Sequence, residues 1–261
     1  MAKPKLHRFG FSFAKGSTHS SRTMMLDELQ RLLATVSSPD AHRDEYVSAI
    51  ETDNCLRKRS AKTRTLTRRH LIDLYALDPN TTIFRLLRFF WNRDPESQPL
   101  LSLLCAYSRD TFLRLCTPLI LEQEQGTRLQ PAALEKLIDE AFPGRFSPGT
   151  LRSTALNINA TWTNSGHLMG RTKKIRRKAN PGIGAVSYAL SLAYLHGLRG
   201  EALFESTFIK MLDCSKEHAL NMTLQASQRG WLVFKQLGNI TEVSFPQLLT
   251  AQEVEWTREQ D

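Results

Sequence analysis

Apolar residues recur at helical spacing along most of the chain. Met25, Leu26, Leu29, Leu32, Leu33 and Val36 follow Ser20 and Ser21, either of which can cap a helix, and Ser37, Ser38 and Pro39 end the run. A second helix is expected from Asp44 through Tyr46, Val47 and Ile50 to Leu56, and a third from Thr65 to Tyr75. A fourth should span Thr81 to Trp91, where Ile83, Phe84, Leu86, Leu87 and Phe90 build one apolar face. Beyond a loop at Asp94–Pro99, the apolar run from Leu100 to Leu121 predicts two short helices. Few strand signals precede residue 165, so residues 1–125 read as a helical domain.

Gln125 and Gly126 mark a boundary. Pro131–Ala141 reads as a helix with proline suited to its first turn. Phe142–Phe146 holds Pro143 and Gly144 and reads as a turn, and Ser147 followed by Pro148 is a helix start. In the helix that follows, Leu151, Ala155, Ile158 and Trp162 form one apolar stripe. The opposite face offers Ser153, Asn157 and Asn164, with Arg152 and Thr163 beside it, and Gly166 ends the helix. Residues 126–180 thus read as a basic, helix-turn-helix-like domain.

Residues 181–261 repeat the plan. Ile183–His196 and Glu201–Leu212 read as helices, Asp213–Ser215 as a turn, and Ser215–Gln228 as a helix ended by Gly230. Trp231–Leu237 and Ile240–Phe245 read as strands joined by Gly238 and Asn239. That order spells a winged helix. The expected fold is mainly α: an N-terminal helical domain, then helix-turn-helix and winged-helix elements with a small C-terminal β-hairpin.

Charge sharpens this picture. The chain has 261 residues, a formal net charge of +9 and a pI of about 9.6. Residues 126–180 carry 10 Lys/Arg against 3 Asp/Glu, whereas residues 181–261 carry 6 against 9. A localised basic excess is the footprint of a polyanion partner. Arg171, Lys173, Lys174, Arg176, Arg177 and Lys178 form a wing or arm suited to phosphates. Asn157 suits adenine and Arg152 guanine, so Arg152, Ser153 and Asn157 are the expected base-facing residues. A second basic cluster, Arg57, Lys58, Arg59, Lys62, Arg64, Arg68 and Arg69, interleaves hydroxyls and reads either as a phosphate-contacting segment or as a solvated helix face. The acidic C-terminal unit exposes Glu217, His218, Asn221, Gln225 and Gln228 on its presumed recognition helix, which fits a protein partner or DNA.

The four cysteines show no CxxC spacing, so no metal site or cofactor is expected. Met1–Gly16 lacks the apolar core of a signal peptide and no apolar run can span a bilayer, so a cytoplasmic chain without a membrane partner is expected. His196 and Arg199 match the His-x-x-Arg box of tyrosine recombinases, but no tyrosine nucleophile follows Tyr194. Phosphate-loop and HExxH motifs are absent, and the chain reads as non-enzymatic.

Between Phe13 and Leu87 three stretches carry a family likeness: Lys15 and Gly16 followed by Ser20–Leu33, then Asn54–Arg64 (NCLRKRSAKTR), then His70–Leu77 with its helical continuation. In these the chain resembles the BrxA family of bacterial BREX phage-exclusion systems. The resemblance implies a small, helical, non-enzymatic protein that binds double-stranded DNA within a phage-defence locus, beside other phage-defence proteins. Two rival readings remain: a helical scaffold for protein partners, and an RNA-binding helical protein.

Overall fold

A computed structural model describes residues 3–238 and 240–259. The chain is mainly helical, with two small antiparallel sheets. The first part holds α1 (Lys3–Leu6), α2 (Leu26–Thr35), α3 (Arg43–Glu51), α4 (Ala61–Tyr75), α5 (Thr82–Trp91), α6 (Gln98–Arg109) and α7 (Thr111–Leu121). The basic segment follows as β1 (Arg128–Leu129), α8 (Pro131–Ala141), α9 (Pro148–Asn164), β2 (Leu168–Met169) and β3 (Lys174–Arg176). The last part holds α10 (Ile183–Leu195), α11 (Thr207–Lys210), α12 (Lys216–Gln228), β4 (Val233–Leu237), β5 (Ile240–Ser244) and α13 (Ala251–Arg258).

Strong punctuation places α8 and α9 where the sequence predicts them, with Ser147 accepting from the Thr150 amide as N-cap. Weaker signals shift. Ser17, not Ser20 or Ser21, caps a 3-10 turn at Thr18–Ser20, and α2 starts only after Met25, whose φ is 55°. Ser60 accepts from the Thr63 amide, which starts α4 at Ala61 and takes Lys62 and Arg64 into the helix. The helix expected at Glu201–Leu212 is broken into a 3-10 turn at Gly200–Leu203 and the short α11, because Ser206 caps a fresh start. Of the expected hairpin turn, Asn239 lies outside the described residues.

Helix α10 is buried at every position from Ile183 to Leu195. Such a helix, apolar all round, belongs in a core. It packs on α5 and α6 on one side and on α11 and α12 on the other, and Tyr188 Oη donates to the Ile83 carbonyl at 3.0 Å. The buried apolar side chains form one cluster that runs from Leu6 to Leu249. The two ends of the chain meet: Phe9 packs edge-on to Trp256, and Glu253 of α13 holds Arg85 at 2.6 Å and bonds Thr82 of α5.

The plan α8–α9–hairpin recurs as α11–α12–hairpin, down to the helix ends. Gly166 donates to the Thr163 carbonyl and His167 to that of Trp162, while Gly230 donates to Ser227 and Trp231 to Ala226. Both glycines have positive φ, 87° and 71°, the left-handed C-terminal cap that turns the chain from helix into hairpin.

Helix α9 is locked to the N-terminal segment by buried polar contacts. His19 Nε2 lies 2.9 Å from Thr161 Oγ1, the Met24 amide donates to that same oxygen, and Asn157 Nδ2 donates to the His19 carbonyl at 3.0 Å. Asp110 caps α7 through the Phe112 and Leu113 amides and also accepts from the Thr18 amide. Its Oδ2 is 3.1 Å from His19 Nδ1, near enough for charge pairing although off a hydrogen-bond line. Burial alone would raise the Asp110 pKa, but His19 and the amides outweigh it and hold the carboxyl well below its ordinary range.

His196 is wedged between Phe11 and Phe208, at ring distances of 4.6 and 5.2 Å. Burial, helped by Arg114, lowers its pKa to about 4. Between that value and the unfolded one near 6.5 the unfolded chain binds the extra proton, so stability rises with pH across this window. His196→Phe should flatten the dependence of unfolding free energy on pH between 4.5 and 6.5 by up to about 1.4 kcal/mol per pH unit, measured by urea titration. An unchanged slope would place the titration elsewhere.

Candidate nucleic-acid interface

Helix α9 turns Ala155, Ile158 and Trp162 fully inward, as the apolar stripe predicts. Its outer face carries Arg152, Ser153, Leu156 and Asn164. Leu156 is 55% exposed, an apolar side chain in the middle of a polar face. Asn157 does not join them: it is half-buried and spent on the His19 carbonyl, which removes it from the base-facing set.

The basic segment after α9 is a hairpin. β3 is the middle strand, pairing Leu168 with Arg176 on one edge and Arg128 with Ile175 on the other. Gly170 makes the tip turn possible: its φ is +94°, and a Cβ there would lie 2.2 Å from the Lys173 carbonyl oxygen. Arg171, Lys173, Arg177 and Lys178 are exposed, with no ion pair among the described residues. Lys174 is half-buried and donates to the Gly170 carbonyl.

Arg176 departs from the sequence expectation. Only 4% exposed, it forms a two-pronged pair with Asp213, Nη1–Oδ2 at 2.8 Å and Nη2–Oδ1 at 2.6 Å, and its Nε donates to the Ile120 carbonyl. His167 stacks edge-on against Trp162 and lies between Ser165 Oγ and the Met211 carbonyl. Burial keeps its pKa well below the ordinary value, so the ring adds no charge near neutral pH. Arg176 is therefore a brace between the hairpin, the end of α7 and the turn before α12. It is not a phosphate contact.

A cleft lies at each end of α9. Arg145 and Phe146, just before the Ser147 cap, line one of about 420 Å³ together with Arg69 of α4. Asn164 at the far end shares a cleft of about 350 Å³ with Arg177 and Lys178. The 17 residues of α9 between them span about 25 Å.

The cluster 57–69 is divided. Lys58 pairs with Glu28 at 2.9 Å and Arg68 with Glu51 at 2.8 Å, so these two serve packing. Arg57, Arg59, Lys62 and Arg64 have no ion pair among the described residues, and Arg69 reaches Asp73 only at 4.0 Å. Arg57, Arg59, Lys62 and Arg69 are exposed, and Arg64 is half-buried. Sequence reasoning missed Arg145 and Leu156. The signal for Arg145 was its place in the turn between two helices, and for Leu156 its place one residue off the apolar stripe.

The C-terminal copy is built differently at its surface. Helix α12 exposes Glu217, Asn221, Leu224 and Gln228, while His218 and Gln225 are half-buried. Its hairpin carries Leu237 and Ile240, 82% and 73% exposed. Arg199 lies over the Tyr194 ring at 3.7 Å and donates to Thr257 Oγ1, which ties the His-x-x-Arg stretch into the helix end. The cysteines are free thiols, and burial raises Cys105 to about 11 and Cys116 to about 12. No group of three or more His, Cys, Asp or Glu suited to a metal occurs among the described residues, and no helix there is long and apolar enough to cross a membrane.

Arg176→Ala should lower unfolding free energy by about 3–5 kcal/mol, because it strands the Asp213 carboxylate. Lys173→Ala with Lys174→Ala should stay within about 0.5 kcal/mol of the parent. Urea titrations read both, and equal stability of Arg176→Ala and parent would refute the brace. Comparison with protein-family models, curated proteins and solved structures finds no match to this chain.

Proposed function

We propose that this chain binds double-stranded DNA and does so without catalysis, as an accessory protein of a phage-defence system of the BREX type. The observation that carries the reading is the pairing of one exposed helix face with exposed cations at both of its ends. The strand order β1–β3–β2 around α8 and α9 supports a winged-helix reading, in which α9 would be the recognition helix and β2–β3 the wing. Arg152 and Ser153 would reach base edges. Leu156 would meet thymine methyl groups, the apolar contact the major groove offers. Arg171, Lys173, Lys174, Arg177 and Lys178 would meet phosphates on one side, and Arg57, Arg59, Lys62, Arg64 and Arg69 on the other. The phage-defence context rests on the likeness in residues 13–87.

The second helix–helix–hairpin copy fits another role. An acidic unit with an apolar hairpin tip at Leu237 and Ile240 suits a protein surface better than a polyanion. Other phage-defence proteins are the partners this reading implies for it.

Fluorescence anisotropy with a duplex at several salt concentrations tests the reading. With about six phosphates neutralised, log affinity should fall with log salt at a slope of about −5. Replacing Arg171, Lys173, Arg177 and Lys178 together by Ala should bring that slope to about −2, since each phosphate contributes about 0.9. An unchanged slope would remove the hairpin from the interface, and preference for duplex RNA over DNA would favour an RNA partner. Arg152→Ala should cost about 1–3 kcal/mol of discrimination between binding sites and leave the salt slope within about one unit, read by competition among duplexes.

A further inference from the structure

The cleft at the start of α9 has features that duplex binding alone does not require. Its volume, about 420 Å³, falls within the range of about 300–1,000 Å³ usual for small-ligand sites. Four separate parts of the chain meet there: the N-terminal segment with Ser20 and Ser21, helix α4 with Arg69 and His70, the junction of α6 and α7 with Arg109 and Asp110, and the turn before α9 with Arg145 and Phe146.

The charges inside it do not cancel. Asp110 is consumed by backbone amides, Ser17 and His19. Arg109 is consumed by the carbonyls of Gly10, Ile72 and Asp73. Asp73 stands 4.0 Å from Arg69 with both side chains mostly in solvent, a weak pair. Arg145 gives one donor to the Lys15 carbonyl at 3.1 Å and keeps the rest of its fork. Ser20 and Ser21 donate their hydroxyls to the carbonyls of Ser17 and Thr18, so the two guanidinium groups of Arg69 and Arg145 are what the cleft holds open to an anion.

The remaining wall suits a ring. The Arg145 guanidinium lies over Phe142 and Phe146, 5.3 and 5.1 Å from their centres. A flat guanidinium backed by aromatic rings is a stacking platform for a base. The half-buried His70 ring lines the same cleft. Burial, reinforced by Arg22, lowers the His70 pKa, so the ring is neutral near pH 7 and can donate to or accept from a base edge.

From this combination we propose that the cleft binds a single nucleotide, its phosphate held by Arg69 and Arg145 and its base against Arg145 and His70. The chemistry is the same for a free nucleotide and for the unpaired end of a DNA strand. The cleft shares Arg69 and the turn at Arg145 with the proposed duplex surface but not the hairpin or the outer face of α9, so mononucleotide binding, which needs neither of those, can fail or hold independently of duplex binding.

Calorimetric titration of the full chain with deoxyadenosine monophosphate tests it. Saturable binding with a Kd below about 1 mM is expected, with deoxyadenosine lacking the phosphate at least about tenfold weaker. Arg69→Ala with Arg145→Ala should raise the Kd about tenfold or more, whereas Lys173→Ala with Lys174→Ala should leave it unchanged. Both arginines are exposed, so the double variant should keep the parent's unfolding midpoint. No saturation up to about 10 mM, or equal Kd in the double variant and the parent, overturns the proposal. Blunt and 5′-overhanging duplexes separate the two sources: tighter binding of the overhang, competed by the mononucleotide, assigns the cleft to a strand end, and equal binding assigns it to a free nucleotide. Loss of duplex binding with mononucleotide binding intact would sink the duplex reading alone.

Discussion

The two-pronged pair between Arg176 and Asp213 is the constraint on which the presentation of positive charge depends. A strand alternates its faces, so an arginine turned in at position 176 turns Arg177 out. Burying that guanidinium requires a fully bonded partner set, which Asp213 and the carbonyls of Ile120 and His167 provide. The hairpin is thereby tied to the rest of the chain at its base, and the tip from Gly170 to Lys173 carries its cations on a fixed support. Asp213 lies in the turn before α12, so the same contact joins the two copies of the helix–helix–hairpin plan.

A second set of buried polar contacts fixes α9. His19, Thr161, Asn157 and Asp110 bind the helix to the segment after Gly16 and to the start of α7. Such contacts cost more to break than to lack, because each stranded group is left without water. They hold α9 in one orientation against the 3-10 turn at Thr18–Ser20, which also packs on the basic α4, and the cleft shared by Arg69 and Arg145 is the result. The duplicated plan then diverges by surface alone: the first copy is cationic, the second acidic with an apolar hairpin tip.

Helix ends with strong punctuation were legible in the sequence. Pro131 and the Ser147–Pro148 pair set the starts of α8 and α9, and Gly166 and Gly230 mark the turns from α9 and α12 into their hairpins. The three-part reading at 125 and 180 is harder to see in space, since one apolar cluster runs through all of it. Helix α13 was overlooked although Thr250 and Glu253 form a capping box, a local signal that could have found it. β1 has two residues, too few for any alternation to register. The inward turn of Arg176 was not legible, because its partner lies 37 residues away and the strand register is set by pairing across the sheet. Asn157 was misread for the same reason: the carbonyl that takes its amide is 138 residues distant.

The central claim is that one duplex lies along α9 and its hairpin. Amide hydrogen exchange, with and without a duplex, tests it residue by residue. Slowed exchange is expected at the tip from 170 to 178 and in the turn from 142 to 147, with β4–β5 unchanged. Slowing confined to β4–β5 and α12, or none on adding DNA at low salt, would contradict it.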